Sequence, residues 1–322
     1  MNKQLLELFL QHPERYISGE EISRLLHCSR TAVWKQIQNL KREGYEFEAV
    51  PRRGYRLICQ PSRLNQAALL AKLRTKVMGR PVYILEKVAS TQTVAHQLVS
   101  EGAGEGTLVI AEQQTAGRGR MGRTWYSPAG KGIWMSLVLF PQIPLHFTSQ
   151  LTLLVAVAVC RAIRMFTGVQ AGIKWPNDLL VRNKKVCGIL LESSAEDQRL
   201  RYVVAGIGIS VNLKSGDFPD PLRHTATSLM MESGGAIERH ALICEILLQL
   251  EQLYELYHEQ GFAPIRLLWE SLNVSLGRPI QIRTPAGTVH GTAEAVDEYG
   301  ALVLRLPDGN TRKFYSGDVE FT

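Results

Sequence analysis

Three short segments carry residue types that could do chemistry together. The first, Gly117-Arg118-Gly119-Arg120-Met121-Gly122-Arg123, sets three arginines on a glycine-spaced backbone. Glycine lets the main chain approach a ligand closely, and its peptide N–H groups can then face an anion. Arginine adds a planar fork of donors matched to carboxylate and phosphate. The second segment, Gly172-Ile173-Lys174-Trp175-Pro176-Asn177-Asp178-Leu179, reads as a strand ending in a turn at Pro176-Asn177. Asp178 closes a run of 65 residues, 113–177, that contains no Asp or Glu. A carboxylate among so many cations is a candidate Mg²⁺ ligand or a group that orients an amine, and an ordinary turn aspartate is the plain alternative. The third segment, Asn183–Glu192, brings Lys185 through a turn to the start of an apolar strand, to reach into a site or into solvent.

The glycines of the first segment match G-x-G-x-x-G literally, but a dinucleotide fold is excluded. The loop runs into Thr124-Trp125-Tyr126-Ser127-Pro128, which is no helix start, and no carboxylate follows at ribose-binding distance. A kinase loop is excluded because HRD and DFG are absent. Like charges repel within the empty loop, so it is expected to be mobile without ligand and ordered with it. A solvated basic surface loop is the alternative.

The elements that must position these groups are legible around them. Thr107–Glu112 reads as a buried strand feeding the loop, and Leu151–Cys160 as a buried helix too short to span a bilayer. Tyr202–Asn212 reads as a buried strand in which Gly206 and Gly208 admit a ligand, another backbone, or only tight packing.

The first sixty residues have a different pattern. Leu5, Leu6 and Phe9 recur at helical spacing. Ser18-Gly19-Glu20-Glu21 has the form of a capping box before a helix that should bury Ile22, Leu25 and Leu26. A third helix starts near Arg30 with Ser29 as its cap, turns Val33, Ile37 and Leu40 inward, and ends at Gly44. Its outer face then holds Arg30, Thr31, Trp34, Lys35 and Gln38, side chains suited to phosphates and base edges. Strands over Glu46–Val50 and Gly54–Ile58, joined by Pro51-Arg52-Arg53, make a basic hairpin, with Tyr45 and Phe47 packing its base. Helix, recognition helix and hairpin form a winged helix-turn-helix, with Arg52 and Arg53 at the wing tip. A three-helix interaction module that never meets DNA is the alternative.

Composition agrees with two anionic partners. The 322-residue chain carries a net charge of +7 and is 45% hydrophobic. Residues 30–56 hold seven basic side chains against three acidic ones. The five cysteines are scattered, with no CxxC pair, which argues for a reducing cytoplasm and against a structural zinc. The N-terminus carries no expected secretory signal.

Taken in order, these segments resemble the bifunctional biotin–protein ligase/biotin operon repressor family across nearly the whole chain. Ser90-Thr91-Gln92 is similar to its biotin-pocket segment, residues 117–123 to its GRGRxGR loop followed by Trp125, Lys174–Leu179 to KWPNDL, and Lys185–Leu190 to K-x-x-GIL. One departure is Ser210, where the family's glycine strand often has Asn. The resemblance implies an α/β (α+β) chain with three domains. These are a winged helix-turn-helix over 1–62, a mixed-sheet ligase domain over 63–274 and an SH3-like barrel over 275–322. It also implies ATP and Mg²⁺, with biotin as substrate and biotinyl-5′-AMP as intermediate and corepressor. The implied partners are a biotin carboxyl carrier protein, operator DNA, and a second copy of the chain when the adenylate is bound, with no membrane.

The resemblance further assigns roles. Ser90, Thr91, Gln92, Gln114, Gly119 and Gly188 would line the biotin site, and Arg118, Arg120 and Lys185 would hold its carboxylate and the phosphate. Arg120, Arg123, Trp125 and Asn177 would meet the nucleotide, and Asp178 the phosphate–Mg²⁺ region. The barrel is expected from four short strands, Gln281–Arg283, Thr288–Val296, Ala301–Leu306 and Arg312–Tyr315, split by turns such as Pro285-Ala286-Gly287. Two rivals stay open at this point. A lipoate–protein ligase would share the fold, and a non-enzymatic sensor of a small acid would keep the winged helix.

Overall fold

A computed structural model describes residues 2–13, 15–42, 45–51, 53–59, 63–284 and 287–322. Gly44, Arg52, the linker residues Gln60–Ser62 and the turn residues Pro285-Ala286 lie outside the described residues. The chain forms two compact units, Met1–Arg74 and Thr75–Thr322.

The first unit runs α1 (Asn2–Gln11), α2 (Gly19–Leu25), α3 (Arg30–Arg42), β1 (Glu46–Val50), β2 (Gly54–Cys59) and α4 (Gln66–Lys72). Each expected cap forms: the Ser18 hydroxyl accepts from the Glu21 N–H at 3.1 Å, and that of Ser29 from the Ala32 N–H at 3.2 Å. Leu5, Leu6, Phe9, Ile22, Val33, Ile37 and Leu40 fill one core, closed by Tyr45 and Phe47. Ile22 and Leu26 pack on the core as expected, but Leu25, also expected inside, is 49% exposed. Antiparallel β1 and β2 form the wing. A third strand piece extends it, because Ile17 and Tyr55 exchange both backbone hydrogen bonds, at 2.8 and 2.9 Å. Gly54 permits that contact: its φ is +105°, and a Cβ there would fall 2.2 Å from the Ile17 carbonyl oxygen. Helix α4 packs on α1, so this unit continues past the linker.

The second unit opens with β3 (Val82–Val88), α5 (Thr91–Ser100), β4 (Leu108–Gln114), β5 (Gly132–Leu139), α6 (Thr148–Thr167), β6 (Gly172–Lys174), β7 (Asp178–Val181), β8 (Lys184–Glu196) and β9 (Arg199–Ser210). Then follow α7 (Leu229–Ser233), α8 (Arg239–Gln260), α9 (Ala263–Leu272), β10 (Pro279–Thr284), β11 (Gly287–Val296), β12 (Leu302–Arg305), β13 (Thr311–Phe314) and β14 (Asp318–Phe321). Strands β3 to β9 make a mixed seven-stranded sheet in the order β3-β4-β5-β9-β8-β7-β6. Only β3 and β4, joined through α5, run parallel; the other neighbours are antiparallel. Alternation along the strands divides the two faces. Val109, Val138 and Val204 pack under Ala95 of α5. Their equally buried neighbours, such as Leu108, Leu137 and Val203, point the other way, toward the side where α6 and α8 meet the sheet. The segment Leu145–Thr167 is long and apolar enough to cross a membrane, but most of it is buried here as a core helix against α8 and α9.

The C-terminal residues form a five-stranded antiparallel sheet, β13-β12-β11-β10-β14, consistent with the expected SH3-like domain. Four strands were expected; the fifth, β14, pairs with β10 through Ile280–Arg283 and returns the chain toward the seven-stranded sheet.

A buried ion pair fixes both stems of the glycine–arginine loop. Arg239, at the start of α8, donates to both Glu112 oxygens at 2.9 and 3.1 Å and to the Gly132 carbonyl at 3.0 Å. Glu112 lies in β4 before the loop and Gly132 begins β5 after it. The two charged side chains are 3% and 5% exposed. Removing one partner strands the other charge away from water, so Arg239→Ala is expected to cost about 3–5 kcal/mol of unfolding free energy. Urea denaturation measures this, and a loss below about 1 kcal/mol would deny the pair its role.

Candidate functional site

A cavity of about 690 Å³ opens on the face of the seven-stranded sheet where α5 begins. Its lining includes Ser90, Thr91, Gln92, Gln114, Arg118, Gly119, Arg120, Arg123, Trp125, Asn177, Asp178, Lys185 and Gly188. Residues that the sequence placed in four separate segments therefore converge on one space.

The floor is built from glycines. Gly188 of β8 stands opposite Gly208 of β9, and Leu190 opposite Gly206. Trp125 lies over the first pair: a Cβ on Gly208 would come 2.4 Å from its Nε1, and one on Gly188 would come 2.8 Å from its ring. Gln92 lies over the second, since a Cβ on Gly206 would meet its carboxamide at 3.0 Å. The open reading of these glycines thus resolves into close approach by side chains of the site itself. The Trp125 ring nitrogen and Gln92 Oε1 are both buried without a hydrogen-bond partner, so the floor keeps one donor and one acceptor uncommitted.

One wall is a polar network at the start of α5. Gln114 Oε1 accepts from the Thr91 N–H at 2.9 Å and from its hydroxyl at 3.2 Å, and Gln114 Nε2 donates to Ser127 Oγ at 2.9 Å. The Thr91 hydroxyl also meets that of Ser136 at 2.7 Å. Gln92 Nε2 donates to the Leu190 carbonyl at 3.0 Å. Ser90 occupies the N-cap position of α5, yet its hydroxyl makes no capping bond. Ser127 and Ser136 escaped sequence analysis because neither lies in a segment whose residue types stood out.

The loop folds back on itself. The Gly119 N–H donates to the Arg123 carbonyl at 2.7 Å, and the Trp125 N–H to Gly117 at 2.8 Å. Each arginine rests on a different acceptor. Arg118 donates to Glu192 at 2.9 Å, and Arg120 to Asn177 Oδ1 at 3.1 Å and the Gly317 carbonyl at 3.4 Å. Arg123 forms a forked pair with Asp318. Burial pulls the Arg120 guanidinium below its ordinary pKa. The Arg123 hydrogen bond holds the Asp318 carboxyl below the usual carboxylate range, so this clamp persists at neutral pH and weakens only as acid protonates Asp318. Gly317 and Asp318 belong to the C-terminal sheet region, so the cavity draws on that domain, which sequence analysis left without a site residue.

Lys185 reaches the cavity through a register shift. Residues three apart on a strand normally face opposite sides, which would separate Lys185 from Gly188. Asp178 pairs with Gly188 but Leu180 pairs with Lys185, so one extra residue of β8 is taken up between them. That bulge turns Lys185 to the cavity face. Its backbone is fixed on the far side by Thr225 and Thr227, at 2.8 and 2.9 Å. Lys185 Nζ lies 2.6 Å from Asp178 Oδ1 and 5.1 Å from the Trp125 ring centre. Lys174 Nζ lies 3.8 Å from the other Asp178 oxygen and donates to the Val319 carbonyl at 3.0 Å. Asp178 is thus the counter-ion of two lysines. Ser210, the departure from the resembled strand, is buried in the cavity lining opposite Gly132.

In the first unit, Arg30, Thr31, Trp34 and Lys35 are exposed along one side of α3, Trp34 at 52%, and Gln38 is half-buried beside them. Arg53 stands over the Tyr16 ring at 4.3 Å, and Arg56 pairs with Glu48 at 2.7 Å. Through Tyr16, the wing is thereby joined to the segment before α2.

Residues 84–210 match the biotin/lipoate A/B protein ligase family, residues 2–56 an HTH domain, and residues 275–322 the biotin protein ligase C-terminal domain. The chain is 51% identical to the bifunctional ligase/repressor BirA of Bacillus spizizenii and 50% identical to that of Bacillus subtilis. Each match covers 99% of this chain and 98% of the relative. The chain belongs to the bifunctional ligase/repressor family. Among solved structures, the biotin protein ligase of Aquifex aeolicus in complex with biotin and ATP superposes with a TM-score of 0.65 at 28% identity. That match covers 75% of this chain and 98% of the other. The α/β architecture of this ligase/repressor, with an HTH domain, a mixed-sheet centre and an antiparallel C-terminal domain, is the one the sequence implied.

Trp125 depends on the space that the glycines leave. Gly208→Ala is expected to displace the indole, changing the near-ultraviolet circular dichroism of tryptophan while the far-ultraviolet spectrum stays. An unaltered near-ultraviolet spectrum would place Trp125 away from that strand.

Proposed function

We propose that this chain is an ATP-dependent biotin–protein ligase that also represses transcription in response to biotin. The observation that carries the enzymatic half is the convergence of Arg118, Arg120 and Lys185 on one cavity with Trp125 and the Ser90–Gln92 wall. About 690 Å³ is the size of a small-molecule pocket that takes both an acid and a nucleotide.

Biotin carboxylate attacks the α-phosphorus of ATP; a new P–O bond forms and pyrophosphate leaves. The lysine amine of a carrier domain then attacks the acyl carbon of biotinyl-5′-AMP; the amide forms, AMP leaves with the bonding pair, and the amine releases its proton. Neither step needs an enzyme nucleophile. Ser90, Thr91, Gln92, Gln114, Gly119 and Gly188 form the biotin end. Arg118, Arg120 and Lys185 stabilise the carboxylate and the charge that builds on phosphorus. Arg120, Arg123 and Asn177 meet the phosphates, and Trp125 offers an aromatic face to adenine. Asp178 keeps Lys185 and Lys174 in place until the anion arrives.

Mg²⁺ is expected with ATP, but Asp178 does not fit the role of a protein ligand for it, because lysines engage both of its oxygens. Among the described residues no group of three or more His, Cys, Asp or Glu side chains could hold a metal ion. No step is therefore assigned to a protein-held metal.

The repressor half rests on the HTH domain and on the exposed row Arg30, Thr31, Trp34 and Lys35, with Gln38 and Arg53 beside it. Operator DNA is the partner that this row suits, in the cytoplasm, with biotinyl-5′-AMP as corepressor and a homodimer as the form that reads paired half-sites.

Incubation with biotin, Mg-ATP and a carrier domain is expected to give one biotinylated lysine, whereas lipoate in place of biotin gives none. Arg120→Ala and Lys185→Ala should each slow the reaction by about 10²–10³ while remaining folded. A native rate in either variant would remove that residue from the assignment. Sedimentation should show a heavier species with biotinyl-5′-AMP than without it, by a coupling of about 1–3 kcal/mol. An unchanged mass would exclude adenylate-driven dimerisation.

A further inference from the structure

We propose that Glu192, gripped by His96, which Tyr202 holds in turn, is a positioning residue that sets Arg118 and thereby the first half of the glycine–arginine loop. It lies in β8 on the same side as Gly188 and Leu190, two residues past the last β8 group in the cavity lining, and is itself no part of that lining. Its Oε2 accepts from Arg118 Nη2 at 2.9 Å and lies 3.1 Å from His96 Nε2. His96 Nδ1 in turn lies 3.1 Å from the Tyr202 hydroxyl, and the two rings meet edge to face at 5.6 Å.

The chain of contacts has a structural logic. His96 follows Gln92 by one turn of α5, so both side chains lie on the face turned to β8 and β9. Gln92 ties that face to Leu190, and His96 ties it to Glu192. Tyr202 of β9 stands across from Ser194, one same-face step beyond Glu192. The carboxylate is therefore held by a helix residue, His96, whose ring is itself fixed by Tyr202 of a strand, before it meets the loop. An isolated surface pair would be worth little, because ordering two long side chains offsets the attraction. Here the ordering of Glu192 is already met by His96, so the contact constrains Arg118 alone. Neither His96 nor Glu192 touches the cavity, so both act through Arg118. The consequence for catalysis rests on the biotin-ligase reading; the consequence for the loop does not.

Amide hydrogen exchange and adenylation kinetics test this on the full chain. Without substrates, Glu192→Ala is expected to speed exchange across residues 117–123 by about tenfold, with β9 unchanged. His96→Ala should give a smaller change in the same direction. With biotin and ATP, Glu192→Ala should raise the KM for biotin by about tenfold while kcat stays within about twofold, since the anchor orders the loop before the chemistry. Glu192→Gln, which keeps an acceptor for Arg118, should recover most of that loss. In an Arg118→Ala background, Glu192→Ala should change nothing further. Unaltered loop exchange in Glu192→Ala, or an equal effect of Glu192→Ala with and without Arg118, overturns the proposal. If exchange responds as expected but wild-type protein makes no biotinyl-5′-AMP, the anchor stands and the enzymatic reading falls.

Discussion

The site depends on keeping five cations together in one cavity when nothing anionic fills it. Arg118, Arg120, Arg123, Lys174 and Lys185 all line the same space. The stretch that supplies four of them, residues 113–177, has no carboxylate of its own. Every balancing carboxylate must therefore come from elsewhere in the chain: Asp178 from β7, Glu192 from β8, and Asp318 from the C-terminal sheet region, while Arg120 rests on the neutral Asn177 Oδ1 and Gly317 carbonyl. Distributing the acceptors in this way gives each arginine its own partner, while Asp178 serves both lysines. It also makes the loop's conformation conditional on the whole second unit being folded. An anion entering the cavity meets Arg118 and Arg123 in part-exposed pairs, and such pairs can be exchanged at small cost. The Arg239–Glu112 pair has the opposite character. It is buried, forked and permanent, and it fixes where the loop begins and ends while the exposed pairs set what lies between.

The sheet contributes a second constraint, which is space. A tryptophan can lie flat over two central strands only if both present glycine, and Gly188 and Gly208 stand directly opposite each other. The bulge in β8 then brings Lys185 to the same face, with its ammonium close to the Trp125 ring. Glycine pair, tryptophan and lysine are thus one arrangement. A Cβ at Gly208 would move the indole, and the indole is part of what surrounds the Lys185 charge.

Much of this was legible in the sequence, for identifiable reasons. Caps at Ser18 and Ser29, the periodic apolar faces of α1 and α3, and the strand before the loop rest on local chemistry, and local chemistry decided them. The convergence of residues 90–92, 117–125, 177–178 and 185–188 was legible as a resemblance, while nothing in their spacing alone placed them together. Side chains whose importance is purely spatial were not legible. Ser136 sits within a wholly buried strand, yet its hydroxyl meets Thr91. Asp318 lies 195 positions from Arg123 and falls in a segment whose strand pairing was itself not foreseen. Leu25 shows the limit of a period argument on a seven-residue helix, where both of two adjacent leucines were read as inward and only Leu26 packs on the core.

The two basic regions differ in form, and the difference bears on which anion each can take. In the second unit the arginines line one cavity, tied to carboxylates and carbonyls, and spaced around a volume that suits a small molecule. In the first unit, Thr31, Trp34 and Lys35 project from one exposed side of a helix, and Arg53 of the wing stands over the Tyr16 ring. That row is convex and suits a groove and its flanking phosphates. Charge alone would let either region bind either anion. Curvature separates them, so one chain carries two cationic surfaces without each competing for the other's ligand.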